Sequence, residues 1–477
     1  MPRPYGATAL PVAPPPLDES LVRSLRAAGL RVELDPAERA EHGRDWWPLS
    51  LLEVREGRPP SWPAAVVYAS STDDVASALR LANDAAVPVT AQGGRSGVEG
   101  GAQVAAGGIA LDLTGLNRVT GHDPVAGTVD VEAGVFGPDL ERAVAAWGFT
   151  VGHFPQSFDL STVGGWLACR GAGQLSNRYG TAADLVRGAT VVLAAGEVIR
   201  LGGRGPQSAV GPDLLQLFVG SEGTLGVITQ ATLLMRPRPV AQWRAAFALD
   251  DVDEGLDRCR RIVQRGATPA VLRLYDPTES ERHFSVTRSV LIVLDEGDPS
   301  IVDGTRLVVE DVLERDTPLD PELVTRWLEH RNDVSALAPL WDAGIIVDTI
   351  EVDGPWSALP TIRRDVTSAV TGLEGTLLVS AHQSHAYPDG ACLYFTFAGR
   401  PSGDPVAYYR RAWDAATRAT LAAGGALTHH HGVGRNRARF VADALGASYD
   451  VLSSIKAVLD PRGILNPGVL GLGGEPW

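Results

Sequence analysis

The chain has 477 residues and a formal charge of −15, with 44% hydrophobic and 21% charged residues. That length allows two or three domains with large cores, and the negative balance argues against nucleic acid or another polyanion as a partner. Three cysteines, Cys169, Cys259 and Cys392, stand far apart without C-x-x-C spacing, which points to a reducing compartment and away from a disulfide framework or zinc cluster.

Lys456 is the only lysine against many arginines, a bias we read as genome composition of a bacterial kind. The proline-rich start, Pro2 to Pro16, has no uninterrupted apolar core for a signal peptide. No later stretch is apolar for the length that spans a bilayer. The expectation is a soluble, cytoplasmic protein, and a homodimer is the assembly expected for it.

Residues 1–60 read as an N-terminal arm: apolar residues recur at helical spacing over 17–30, and Trp46 and Trp47 could dock it on a body. Val66–Tyr68 reads as a strand. Thr72, Asp73 and Asp74 then open a helix whose apolar stripe is Val75, Ala78, Leu79 and Ala82. A short extended run at Val89 and Thr90 leads into a glycine loop, Gln92, Gly93, Gly94, Arg95, Ser96, Gly97, and residues 108–113 form the next strand. Glycines let backbone approach a ligand closely and let successive N–H groups face one anion, as a pyrophosphate requires. The loop lacks the Lys-Ser/Thr ending of a P-loop and does not open a helix as the dinucleotide fingerprint does; taken alone it also reads as a plain turn.

Two further stretches repeat that chemistry. The second holds Gln156, Ser157, Asp159, Ser161, Thr162, Gly165, Cys169, Arg170 and Ala172; the third holds Glu222, Gly223, Thr224, Gly226, Val227 and Ile228 and runs into a strand. Hydroxyls and glycines in such loops suit a ring system and its phosphates. Residues 62–238, with Gly-Ser-Glu-Gly-Thr-Leu-Gly at 220–226, resemble the FAD-binding domain of the vanillyl-alcohol oxidase/PCMH flavoprotein family. The segment from Leu459 to Gly468 is similar to that family's closing stretch. The resemblance implies an α+β fold: a two-subdomain PCMH-type FAD-binding domain over 61–240, a cap domain with an antiparallel sheet flanked by helices over 241–440, and a segment over 441–477 returning to the FAD domain. It implies FAD as cofactor. Where some relatives attach flavin to a histidine, Arg95 stands here, so the FAD is expected to be non-covalent, with His153 as an alternative attachment point.

Within the cap, Tyr387, in Tyr-x-Asp-Gly-Ala-Cys-x-Tyr-Phe, and the run His429, His430, His431 before Gly-x-Gly-Arg resemble the alkyldihydroxyacetonephosphate synthase branch. That branch exchanges the acyl chain of a dihydroxyacetone phosphate ester for a fatty alcohol through flavin N5. By this resemblance Tyr387 is the acid/base, the histidines are its polar cluster, and Arg273 is a substrate or structural arginine; Arg331 and His153 complete the expected substrate contacts. Two departures stand out. Gln156 replaces an aspartate, and the segment from Val334 to Asp342 lacks the arginine that grips the head group, for which Arg331 could substitute.

The residues themselves leave alternatives open. A phenol near pKa 10 needs a cationic neighbour or the flavin to act as base, which the histidines could provide; a tyrosine beside an aromatic strand also packs as core. In an extended segment only His429 and His431 would share a face. No carboxylate or cysteine lies at ligand spacing, so no metal is expected. Arg273 could be a surface ion pair. The alternative activity is oxidation of a 2-hydroxy acid or other alcohol by FAD, and a third reading is a flavin-binding scaffold without catalysis.

Overall fold

The computed structural model describes residues 17–55, 61–104, 107–203, 205–206, 208–332 and 337–474. The proline-rich start and residues 334–336 of the segment without the arginine lie outside them. Strands Ala65–Tyr68, Ile109–Asp112 and Val89–Gln92 run parallel, as continuous apolar runs do when both faces are covered. Helix Thr72–Asp84 packs Val75, Ala78, Leu79 and Ala82 on them. Ser71 caps it by accepting the Asp74 N–H at 3.1 Å, and Asp73 and Asp74 sit in its first turn, where the helix dipole favours acids.

The segment expected as an arm is built into the body. Helix Glu19–Ala27 buries Leu21, Val22 and Leu25 in the same core, and Arg31–Glu33 adds an antiparallel edge strand beside Ala65–Tyr68. Trp47 crosses further: it is 1% exposed, lies in the cap's core, and its Nε1 donates to Tyr409 Oη at 2.9 Å.

A second subdomain holds an antiparallel sheet ordered Val119–Asp123, Thr128–Glu132, Val227–Leu234, Val186–Val192, Val198–Gly202. The cap is a seven-stranded antiparallel sheet ordered Thr317–Leu319, Ala241–Leu249, Ser289–Gly297, Val271–Tyr275, Thr376–Ala386, Gly390–Gly399, Ile346–Pro355. Strand alternation sorts its two faces. Leu272 and Leu274 point into the core under the helices Val252–Gln264, Pro299–Val312, Leu359–Thr371 and Pro405–Ala422. Val271 and Tyr275 point the other way, against Leu175 and Tyr179 of the FAD domain. Arg273 shares that second face by the same period.

The C-terminal segment closes the body. Leu465 bridges to Val89 in parallel, and the Val89 N–H donates to Ile464 O at 2.7 Å. Lys456 is spent on this closure: its buried Nζ donates to the carbonyls of Thr224 at 2.8 Å and Leu465 at 2.7 Å and to the Asp460 carboxylate at 2.5 Å.

Candidate active site

The three glycine loops meet. At Gly93 and Gly94 an added Cβ would run into Thr162 Oγ1 and the Leu160 carbonyl oxygen, so these glycines let the first loop lie directly on the second. The third loop joins them through Gly220 N–H to Leu167 O and Glu222 N–H to Ala168 O, both 2.9 Å. On their open side a Cβ at Gly223 meets nothing within 4 Å, and one at Gly97 or Gly165 nothing closer than 3.5 Å. Arg95, Arg170 and Glu222, one in each stretch, hold φ of 54°, 54° and 48°. Left-handed backbone at side-chain-bearing residues persists only where the surroundings hold it, and it clusters at ligand clamps. An open glycine strip along Gly97, Gly165 and Gly223 fits a long phosphate-bearing cofactor such as FAD.

Four cap strands place one polar residue each in a single rung. Tyr275 pairs with His382, His382 with Tyr394, and Tyr394 with Glu351. Below this rung the turn from Thr428 to Gly434 wraps around carboxylates. The fully buried Glu351 accepts Thr428 Oγ1–H at 2.5 Å and the N–H groups of His429 at 2.5 Å and His431 at 2.9 Å. Glu222 accepts the N–H groups of Val433 at 2.7 Å and Gly434 at 2.8 Å. Arg437, 1% exposed, lies 3.0 Å from Glu99 of the first loop and 3.4 Å from Glu351. Burial alone would raise the Glu351 carboxyl, but the Arg437 guanidinium, joined by the histidines when acid protonates them, outweighs it and holds it below the usual carboxylate range.

Because the turn is bent rather than extended, all three histidine rings gather on one side, with neighbouring ring centroids 5.0 and 4.7 Å apart. This corrects the expectation that His430 points elsewhere. Tyr387 Oη lies 2.8 Å from His429 Nε2, His429 Nδ1 2.8 Å from His430 Nδ1, and His430 Nε2 2.7 Å from Tyr394 Oη, which is 3.4 Å from His431 Nε2. His385 stacks 5.0 Å from His429, with its Nδ1 2.7 Å from Ser176 Oγ. Burial lowers every imidazole of the group, His430 and His385 well below the ordinary value and His431 to about 4. The histidines are therefore neutral near pH 7, which corrects the expectation of a cationic neighbour for Tyr387. Burial pushes the Tyr387 phenol up, so it rests protonated.

The argument against ligand spacing also needs correction. The turn that carries His429 and His430 folds against the sheet, which brings His385 beside both and Glu351 and Cys392 beside His430, with the possible ligand atoms of each set within 4.8 Å of one another.

Arg273 and Arg331 flank one indole: their guanidinium carbons lie 5.1 and 5.9 Å from the Trp327 ring. Arg273 faces the cluster, with Nη1 3.5 Å from Tyr275 Oη, and has no salt bridge to an acid among the described residues. Arg331 Nη1 is buried without a hydrogen-bond partner, and burial, then the Arg273 charge, lowers its pKa. Arg331 lines a cavity of about 500 Å³ between the domains, with Phe154, Leu175, Leu294 and Leu328 among its apolar walls.

Other expected site residues serve the scaffold with their side chains. Gln92 Nε2 donates to the carbonyls of His42 and Ala102. Val227 and Ile228 pair with Val192 and Val191 in the sheet and bury their side chains. Gly226 lies against Val191 and Phe218, Ala172 is buried, Ser161 accepts Trp166 Nε1–H at 2.7 Å, and Thr224 Oγ1 donates to Ser221 O. Cys169 Sγ donates to Gly165 O at 3.1 Å and Arg170 Nη1 to Val219 O at 3.2 Å. Gln156 and Asp159 are exposed. His153 is 1% exposed beside Trp166, both ring nitrogens unpartnered. Arg95 turns away to Asp112 at 3.5 Å and Glu41 at 3.9 Å. Glu351, Glu99, His385 and Tyr394 were not singled out beforehand. Only the Tyr394 pattern, inside Tyr-x-Asp-Gly-Ala-Cys-x-Tyr-Phe, gave a signal.

Residues 63–202 match the family described as FAD binding domain, and residues 238–470 the C-terminal domain of FAD linked oxidases. The uncharacterized FAD-linked oxidoreductase YgcU of Escherichia coli (strain K12) is 30% identical over 430 residues, covering 86% of this chain and 89% of the relative. Alkyldihydroxyacetonephosphate synthase of Dictyostelium discoideum is 28% identical over 501 residues, 96% of this chain and 81% of the relative. A solved alkyldihydroxyacetonephosphate synthase superposes with a TM-score of 0.81 at 26% identity, over 97% of this chain and 88% of that one. Glycolate oxidase subunit GlcD of Bacillus subtilis (strain 168) is 29% identical over 436 residues, 86% of this chain and 89% of the relative. Among the described residues no helix is long and apolar enough to cross a membrane. With the three loops joined and the cap closing over them, the chain belongs to the FAD-linked oxidoreductases with a PCMH-type FAD-binding domain, and FAD is its cofactor.

Proposed function

We propose that this enzyme works on an anionic small molecule held by Arg273 and Arg331, moves a proton through Tyr387 and His429, and performs an acyl-to-alkyl exchange on a dihydroxyacetone phosphate ester as alkyldihydroxyacetonephosphate synthase does. The observation that carries the reading is the 2.8 Å approach of Tyr387 Oη to a neutral His429 Nε2. A protonated phenol cannot act as base by itself, but it can take a proton at oxygen while passing its own to His429. Bound FAD supplies an electron-accepting ring to the reacting carbon. Ser96, Gly97, Ser157, Thr162, Gly165 and Gly223 would hold it, without a covalent bond because Arg95 stands where some relatives carry the attaching histidine.

Two guanidiniums beside one indole, one with a buried unpartnered Nη1, fit a carboxylate or phosphate better than a neutral group. The cavity next to Arg331 then takes the non-reacting part of the substrate, whose binding positions the reacting centre.

A second reading is net oxidation of a 2-hydroxy acid. It is favoured by the absence of an arginine from Leu337–Asp342 and by the similarity to a glycolate oxidase subunit. Anaerobic mixing of the FAD-loaded protein with palmitoyl-dihydroxyacetone phosphate, D-lactate or glycolate separates the two. Bleaching by the ester without two-electron reduction supports the exchange reaction. Full reduction by a hydroxy acid, with no response to the ester, overturns it in favour of the second reading.

A further inference from the structure

Beyond Tyr387 and His429, the polar contacts continue. From Tyr387 Oη the string runs through His429, His430 and Tyr394 to His431, at separations of 2.8, 2.8, 2.7 and 3.4 Å. Each imidazole uses one nitrogen toward the preceding group and the other toward the next, except His431, the last. Its Nδ1 has no hydrogen bond and lies 3.9 Å from Glu351 Oε1. A neutral imidazole carries one N–H, and a phenol one O–H. One proton per contact therefore satisfies the whole string, in either of two directions.

We infer that Tyr387, His429, His430, Tyr394 and His431 form a single proton relay, in which Tyr394 is an unrecognised positioning residue and His431, beside Glu351, is the transient store. The inference rests on the reading of Tyr387 as the proton-transfer group. The balance is as follows. The substrate's proton forms a new O–H bond at Tyr387 while the original O–H breaks toward His429 Nε2. The His429 Nδ1 proton moves to His430 Nδ1. The His430 Nε2 proton moves to Tyr394 Oη, whose own proton passes to His431 Nε2. Every intermediate group gains one proton and loses one. His431 ends as imidazolium, with Nδ1–H toward the Glu351 carboxylate. The return stroke restores the starting state, so the same string can later protonate product.

Three features fit a relay better than packing. The Nδ1···Nδ1 contact between His429 and His430 forces opposite tautomers on two adjacent histidines, an arrangement that apolar packing would not select. Tyr394 is fixed laterally by stacking on His382, with ring centroids 4.8 Å apart and planes 9° apart, so its oxygen is held between two histidines. The receiving end has a buried anion whose counter-ion, Arg437, is already in place. Burial opposes charge on His431 and Glu351 favours it, as suits a site that holds a proton briefly and returns it.

The test uses the FAD-loaded full chain labelled with ¹⁵N-histidine, which needs no substrate. His429 should show the Nδ1–H form and His430 the Nε2–H form, or both the reverse. Tyr394→Phe, which keeps the ring, should shift the His430 and His431 nitrogens and redistribute the His429 tautomer two contacts away. A string that does not communicate would confine the change to His430 and His431, and that result overturns the relay. With whichever of palmitoyl-dihydroxyacetone phosphate, D-lactate or glycolate reacts, turnover in H₂O/D₂O mixtures should give a curved proton inventory in wild type and a linear one in Tyr394→Phe, with turnover lowered about tenfold or more. Curvature that survives in Tyr394→Phe rejects the relay while Tyr387 keeps its role. Normal turnover in Tyr387→Phe rejects both.

Discussion

The Glu351 carboxylate accepts the backbone N–H of His431 at 2.9 Å, and with the matching bond from His429 it turns three consecutive imidazoles toward one another. Removing it would leave N–H groups unsatisfied and Arg437 with Glu99 as its remaining carboxylate partner beside the carbonyls of Glu351 and Leu427. Breaking a buried pair costs about 3–5 kcal/mol. Since Glu99 remains, Glu351→Leu should sit near 3 kcal/mol in urea unfolding. A loss under about 1 kcal/mol would show that the turn holds without its anion.

Tyr387→Phe should leave FAD content intact and lower turnover by roughly a hundredfold or more, the usual contribution of a positioned proton-transfer group. Near-normal turnover would return this tyrosine to core packing.

Arg331→Ala should raise KM sharply with less effect on kcat, because an anchoring contact remote from the reacting centre is lost. Arg273→Ala, beside the cluster, should lower kcat as well. Equal effects of the two substitutions on both constants would deny them separate roles.

The buried imidazoles of His153 and His431 should each contribute stability that is lost as pH falls. His153 and His431 are lowered by burial to about 3 and about 4, against 6.5 when exposed. Below pH 6.5 the unfolded chain takes up protons that the native state refuses, so stability present above that value is lost as pH falls toward 4. His153, with both nitrogens unpartnered in a core, makes a clean probe. His153→Leu should flatten the fall in Tm between pH 7 and 5 without loss of FAD, and an unchanged slope would show that this ring is hydrated.

Acid precipitation should release yellow flavin into the supernatant, since Arg95 replaces the histidine that would attach it. Colour kept in the pellet would mean a covalent bond.

Local rules read much of this protein directly. Thr72, Asp73 and Asp74 mark a helix start, the apolar runs mark strands, and the glycine–hydroxyl stretches with Gly-Ser-Glu-Gly-Thr-Leu-Gly at 220–226 carry the resemblance to an FAD-binding domain. What decided the site was contact between residues far apart in the chain. Three neighbouring histidines carry no signal of their direction until Glu351, 78 residues before His429, is brought beneath them by strand pairing. The same pairing set Tyr394 between His382 and Glu351. Charge behaved likewise: free in water the cluster would titrate near neutrality, whereas burial between two domains removes solvent from the charged form and leaves the imidazoles neutral. Glu222 looked like a cofactor ligand in its motif, yet both of its carboxylate oxygens hold the turn at Val433 and Gly434. A motif names the residues that must be present, but which partner a polar group satisfies is set by what the fold buries beside it.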